Sequence, residues 1–215
     1  MGKIHVDYDS GMPQLACTDC GSCSSVMGKS LCGTVNRGCC HHYPEFTLAE
    51  IQRMMHLPDG RTALDAVLDN PDTLINNFNI HAKGYFDKQA YEKYISDDQL
   101  LETGAIRDHT IFFKTCPFVR EGVGCILPVR FRTTVCNFFI CSEILEMPEY
   151  YNDFKPYIEE RMRYSRWIYR ESAELQHILK ENGINLVVDF EGSLKLLSQL
   201  SLSEYEFPML EPVEY

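Results

Sequence analysis

The stretch that decides the fold is Cys17-Thr18-Asp19-Cys20-Gly21-Ser22-Cys23, continued at Cys32 and then at Gly38-Cys39-Cys40-His41-His42. Between Cys17 and Cys40 the chain is rich in Gly, Ser and Cys and offers almost nothing to pack, so a hydrophobic core cannot order it. Thiolates are soft ligands, and cysteines separated by two residues reach one tetrahedral ion or one iron-sulfur cluster from a single turn. Metal ligation would supply the missing order. Cys116, Cys125, Cys136 and Cys141 form a second group, and no cysteine lies between Cys40 and Cys116.

At 215 residues and 45% hydrophobic composition, the chain has enough apolar material to build a core without staples. That weighs against a disulfide framework, which belongs to short secreted chains. The first residues carry no apolar signal run and no later stretch is long and apolar enough to span a bilayer, so the expectation is a cytoplasmic protein without membrane contact. Thiols stay reduced there, which again favours metal. A net charge of -11, from 20 basic and 31 acidic residues, argues against a protein that neutralises a nucleic-acid backbone. No basic residue follows Lys195, and Glu204, Glu206, Glu211 and Glu214 predict an acidic, solvated tail.

The elements read as follows. Residues 1–16, with Gly11 and Pro13, predict an extended lead-in without a helical period. Thr47-Leu48-Ala49-Glu50 has the spacing of a capping box, and Leu48, Ile51, Met54 and Met55 fall on one helical stripe that Pro58-Asp59-Gly60 ends. A second helix is predicted over Thr62 to Leu68, a third from Pro71-Asp72, and helix-rich structure from Asn76 to Gly104 with a Tyr91, Tyr94, Ile95 stripe. Thr110 to Phe113 predicts a short strand running into Cys116, and Gly122 to Pro128 returns as a hairpin across which Cys116 and Cys125 can meet. Cys136 and Cys141 are predicted on one short helix. The longest helix runs from about Asp153 to Asn182 with Ile158, Met162, Ile168, Leu175 and Leu179 on its apolar side, followed by a strand over Asn185 to Phe190 and a last helix over Glu191 to Leu202. The fold class expected is mainly α (α+β): one helical domain over 1–215 around a cysteine-rich metal centre at 17–141, with a small β-hairpin and a C-terminal helical part at 148–207.

The two groups resemble the cysteine-cluster family of zinc- or iron-chelating proteins known by a CxxCxxCC signature. In that family the first motif leads into a helix that begins Thr-x-x-Glu, as Cys39-Cys40 here leads into Thr47-Leu48-Ala49-Glu50. The second motif has its counterparts in Cys116-Pro117-Phe118, in Gly124-Cys125-Ile126-Leu127, and in Arg132-Thr133-Thr134-Val135-Cys136-Asn137-Phe138. Three departures stand out: an insertion containing Cys32 opens the first motif, Thr133 stands where the family has Pro, and Asn137 where Arg is common. The resemblance implies a ligand set of Cys17, Cys20, Cys39, Cys40, Cys116, Cys125 and Cys136, with Cys141 as an eighth member and Cys23 and Cys32 as extras. It implies a metal centre rather than a reaction. A flagellin lysine methylase resembles the family in its cysteine cluster, so an iron-sulfur methyltransferase acting on a protein substrate is a rival reading. A thiol redox or metal-delivery module is another.

Widely spaced single cysteines with one CxxCxxC suit an iron-sulfur cluster, in the first place a 4Fe-4S cluster, with zinc as the alternative. Adjacent cysteines tend to diverge, so of Cys39 and Cys40 one is expected to serve a cluster and the other a neighbouring site or the core. His41 and His42 are possible zinc ligands, though a histidine beside a site is more often only a neighbour. Arg132 is placed to compensate the negative charge of ligated thiolates. Arg161-Met162-Arg163-Tyr164-Ser165-Arg166-Trp167-Ile168-Tyr169-Arg170 mixes basic and aromatic residues, but Glu159, Glu160, Glu171 and Glu174 lie within helical reach and make a salt-bridged, solvated face the plainer reading.

Overall fold

In a computed structural model, described at residues 2–22, 25–33, 37–97, 106–145 and 147–215, the chain opens on a hairpin rather than a bare lead-in. Strand β1 (Lys3–Asp9) pairs with β2 (Met12–Cys17) in antiparallel register, Asp9 opposite Met12. Ser10 and Gly11 are then the whole turn, both at positive φ (51° and 81°), which matches the twist of the flanking strands. Strand β10 (Val213–Glu214) adds to the other edge of β1, with Ile4 opposite Val213. The acidic tail is therefore not simply solvated. Its glutamates Glu204, Glu206, Glu211 and Glu214 are exposed, while Tyr205, Phe207, Leu210, Val213 and Tyr215 turn onto the core between them.

Helix α1 (Leu48–His56) follows strand β3 (Glu45–Thr47) and carries both halves of the capping box read from the sequence. Helix α2 (Gly60–Leu68) starts after Asp59, and a Cβ on Gly60 would stand 1.8 Å from the Met54 carbonyl oxygen, so only glycine lets α2 fold back this closely on α1. The helix predicted from Pro71 does not form. Strands β4 (Thr73–Ile75) and β5 (Asn79–Ala82) take its place and complete a sheet in the order β3-β5-β4. Thr73, Ile75 and Ile80 are β-branched, and β5 buries Ile80 and Ala82 on alternate positions, so pairing with the distant Glu45–Thr47 overrides any local helical bias. After β6 (Tyr85–Phe86), helix α3 (Lys88–Ser96) is capped by Asp87 and packs Tyr91 and Tyr94 on Phe113, whereas Ile95 stays exposed. The remainder of the predicted helical stretch, 98–104, lies outside the described residues.

The longest element is α6 (Tyr151–Glu181), which begins two residues ahead of Asp153 and stops at Asn182-Gly183, with Gly183 at φ 68°. It buries Phe154, Tyr157, Tyr164, Ile168, Leu175 and Leu179, while Met162, assigned to that side from the sequence, is 47% exposed. No strand forms at Asn185 to Phe190. The Asn185 side chain accepts from the Val187 and Val188 amides and makes a turn that leads into α7 (Phe190–Gln199), capped by Asp189. Helix α1 packs against both α6 and α7. About 47% of the chain is helical and 17% strand, in small antiparallel sheets, which is an α+β fold. No helix among the described residues is long and apolar enough to cross a membrane.

Docking of the tail can be tested at one residue. Val213 is buried against Ile4, so Val213→Asp places a carboxylate without a partner in an apolar site and is expected to cost about 2–3 kcal/mol in urea unfolding. Glu214→Lys, one residue further and exposed, is expected to change stability by no more than about 0.5 kcal/mol.

Candidate functional site

The first cysteine group reaches the second through a short 3-10 turn, Gly38–His41, in which Gly38 takes φ 54°. His41 is fully buried at its end, and its two ring nitrogens face the Ile111 and Met27 carbonyl oxygens, each at 3.1 Å. As a neutral ring it donates to one of these carbonyls, and both nitrogens face backbone oxygen. Burial pushes its pKa down. His42 packs beside Phe139 with ring centroids 6.3 Å apart.

The Cys116 amide donates to the Cys40 carbonyl at 3.0 Å, which locks the two groups together through the backbone. Residues 109–113 form a 3-10 turn rather than the predicted strand, and β7 (Lys114–Thr115), paired with β6, delivers Cys116. A hairpin does form where predicted, but its first strand is β8 (Val119–Arg120), which pairs with β9 (Gly124–Cys125), so Cys125 stands opposite Val119 and not Cys116. Cys136 lies on α4 (Thr134–Asn137).

Thr133 is the cap of α4. Its hydroxyl accepts from the Cys136 amide at 3.4 Å and donates to the Cys136 sulfur at 3.2 Å. The residue that departs from the resembled motif thus supplies a donor that proline lacks. One residue earlier, the Arg132 Nε donates to the Leu127 carbonyl at 2.8 Å, and the guanidinium charge helps lower the Cys40 pKa and opposes the rise that burial imposes on Cys125.

Cys39, Cys40, Cys116, Cys125 and Cys136 are brought within one another's fields by these contacts. The Cys39 thiol is hydrogen-bonded to Cys136 and to Cys40, so the adjacent pair faces one site instead of diverging. That bonding raises the Cys39 pKa well above its usual range. Its partners move the other way: Cys136 is lowered, first by the Cys39 bond, and Cys40 falls from 9.0 to about 7, by the same bond, then by a backbone hydrogen bond from Arg37 and the Arg132 charge. Burial pushes the thiols of Cys116 and Cys125 up. The three thiols Cys39, Cys40 and Cys136 titrate as one set, in which Cys39 holds its proton while Cys40 and Cys136 lose theirs more readily.

The other cysteines are placed differently. Cys17 ends β2 with its sulfur 3.1 Å from the Tyr215 hydroxyl, and Cys20 is exposed on the turn that follows. Cys23 lies outside the described residues. Cys32 is 3.0 Å from the Thr115 hydroxyl, beside Cys116, so the insertion reaches the second group after all. Cys141 does not share a helix with Cys136. Phe138 and Ile140 turn into the core, Phe138 stacking on Tyr164 at 4.5 Å, and this breaks the helix before Cys141, which instead precedes α5 (Ser142–Leu145). Among the described residues no group of three or more His, Cys, Asp or Glu side chains is drawn up in a geometry that could hold a metal ion.

Two features escaped the sequence reading. The cap at Thr133 had a signal in Thr133-Thr134 ahead of the helix, whereas the Thr115 partner of Cys32 had none. Comparison with known proteins found no matching family model, curated protein or solved structure.

Two measurements on the metal-free, reduced chain check this arrangement. A thiol whose folded pKa is depressed adds stability that is complete above its unfolded value near 9.0 and is lost as pH falls through about 7, so Cys40 should stabilise the chain increasingly over that interval. Ultraviolet thiolate absorbance should rise near pH 7 and that rise should move upward in Cys39→Ala, which removes the donor; an unchanged titration in the variant contradicts the coupling. Thr133→Val removes both hydrogen bonds of the cap at similar volume. It is expected to cost about 1 kcal/mol and to raise the Cys136 titration, with Thr133→Ser restoring both.

Proposed function

We propose that the protein is a metal-binding cysteine-cluster protein that holds an iron-sulfur cluster through thiols from both groups: Cys39, Cys40, Cys116, Cys125 and Cys136. The observation that carries this reading is the convergence of these thiols from three separate chain segments beside the Arg132 guanidinium. Five sulfurs exceed the four that one cluster or one tetrahedral zinc needs, so one thiol stays outside the ligand set. Cys39 keeps its proton beside Cys40 and Cys136, and metal binding would release it.

The donor set fits such a group by its chemistry: soft sulfur, largely buried, with a fixed cation nearby and Thr133 donating to one sulfur. Arg132 and Thr133 would then hold charge and orientation around the ligands. An iron-sulfur cluster supplies one-electron transfer or the anchoring of a substrate group when bound. The family resemblance at Cys39-Cys40, Cys116, Cys125 and Cys136 supports the same set. Cys17, against Tyr215, and Cys141, cut off from α4, are left out of it.

Anaerobic purification followed by an absorption spectrum and metal analysis tests the reading. Iron with labile sulfide is expected, and its loss together with a fall in melting temperature in Cys116→Ser and Cys136→Ser, while Cys17→Ser and Cys141→Ser keep the parent content. Stoichiometric zinc in a colourless protein would keep the thiol site and overturn the cluster. Absence of any bound metal, or metal loss in Cys141→Ser as complete as in Cys116→Ser, overturns the site itself.

A further inference from the structure

The helix that carries Cys136 presents its other side to a groove of about 520 Å³. Val135, Phe138 and Ile140 form its floor, and Arg161, Met162 and Arg166 on α6 form its wall. We propose that this groove docks an extended segment of a partner protein in which an apolar side chain lies between two carboxylates.

The charges point to the carboxylates. No residue lining the groove is acidic, in a chain whose net charge is -11. On the same helix Arg163 is paired with Glu159 and Glu160, and Arg170 with Glu171. Arg161 and Arg166, by contrast, make no ion pair or hydrogen bond among the described residues. The salt-bridged face expected from the sequence is thus only half of this stretch, and the other half offers two unengaged guanidinium groups.

Spacing and surface point to the rest. Arg161 and Arg166 are five residues apart on α6, about 7.5 Å of helical rise and about 140° of turn, with Met162 and Ser165 between them in the groove lining. Alternate residues of an extended chain are about 6.6 Å apart on one side, and the long arginine side chains can close the difference to bring one guanidinium to each carboxylate. The residue between them points the opposite way, toward the floor. There Val135 is 61% exposed, and Met162 beside the arginines is 47% exposed, so both offer apolar surface to water that a side chain can cover. A polynucleotide fits less well, because an acidic protein repels phosphodiesters beyond the reach of two arginines. The proposal stands apart from what the cysteines hold.

The test is fluorescence anisotropy of the full chain with a fluorescein-labelled peptide of alternating glutamate and leucine. Saturable binding is expected, weakened by salt, and reduced about tenfold or more in the double variant Arg161→Glu, Arg166→Glu at an unchanged melting temperature. Met162→Asp should weaken it as well. No saturable binding, equal binding of a lysine-leucine peptide, or binding untouched by the double variant overturns the proposal. So does an oligouridylate that binds through the two arginines where the peptide does not, or an arginine-dependent dimer of the chain in sedimentation without peptide.

Discussion

One buried carboxylate, on Glu50, ties the helical frame to the cysteine segment. Its Oε2 accepts from the amide and hydroxyl of Thr47, at 2.8 and 3.0 Å, and its Oε1 accepts from the amide and hydroxyl of Thr134. A carboxylate only 3% exposed survives burial when its lone pairs are filled, and these donors fill them. Both amides belong to helix starts, α1 on one side and α4 on the other, where negative charge also meets the positive ends of two peptide dipoles. Since α1 is packed on α6 and α7, Glu50 transmits the position of the core to the helix that carries Cys136. The capping box is therefore more than a helix stop signal.

Around that tie, aromatic packing along α6 fixes the remaining edges. Phe138 stacks on Tyr164, and Tyr164 meets Trp167 and Tyr205 with ring centroids 5.3 and 5.0 Å away. The Tyr205 hydroxyl donates to buried Glu160, which Arg163 also pairs, while the Tyr157 hydroxyl donates to the Glu211 carbonyl at 2.9 Å. The tail is thus held at its aromatic residues and its backbone, leaving its acids in water. Arg53, buried one turn after Glu50 on α1, donates to the Tyr164 hydroxyl at 3.0 Å, and the Ala49 amide donates to the Ser172 hydroxyl at 3.3 Å, so α1 is tied to α6 by polar links at two levels.

What the sequence disclosed follows from the range of the interactions involved. Thr47 and Glu50 are three residues apart, so their capping box could be read directly; the second use of Glu50, with Thr134, joins residues 84 apart and leaves no local trace. The hairpin at Cys125 and the long helix announced themselves through glycine placement and periodicity. Strands β4 and β5 did not, because three- and four-residue strands have no period of their own and owe their state to Glu45–Thr47. Cys141 misled for a related reason: its spacing from Cys136 fits a helix, but burial of Phe138 and Ile140 outweighs the few hydrogen bonds that continuing so short a helix would add.

The five thiols bring an electrostatic problem that the protein solves only in part. Thiolates gathered in a partly buried site repel one another, and the Arg132 guanidinium offsets this at Cys40 and Cys125. The chain responds by keeping Cys39 protonated between Cys40 and Cys136 and by holding Cys116 and Cys125 neutral through burial. Cys40 and Cys136 are left poised for negative charge beside it. Such an arrangement balances around the proton that Cys39 keeps, because each further thiolate would have to form beside one already charged.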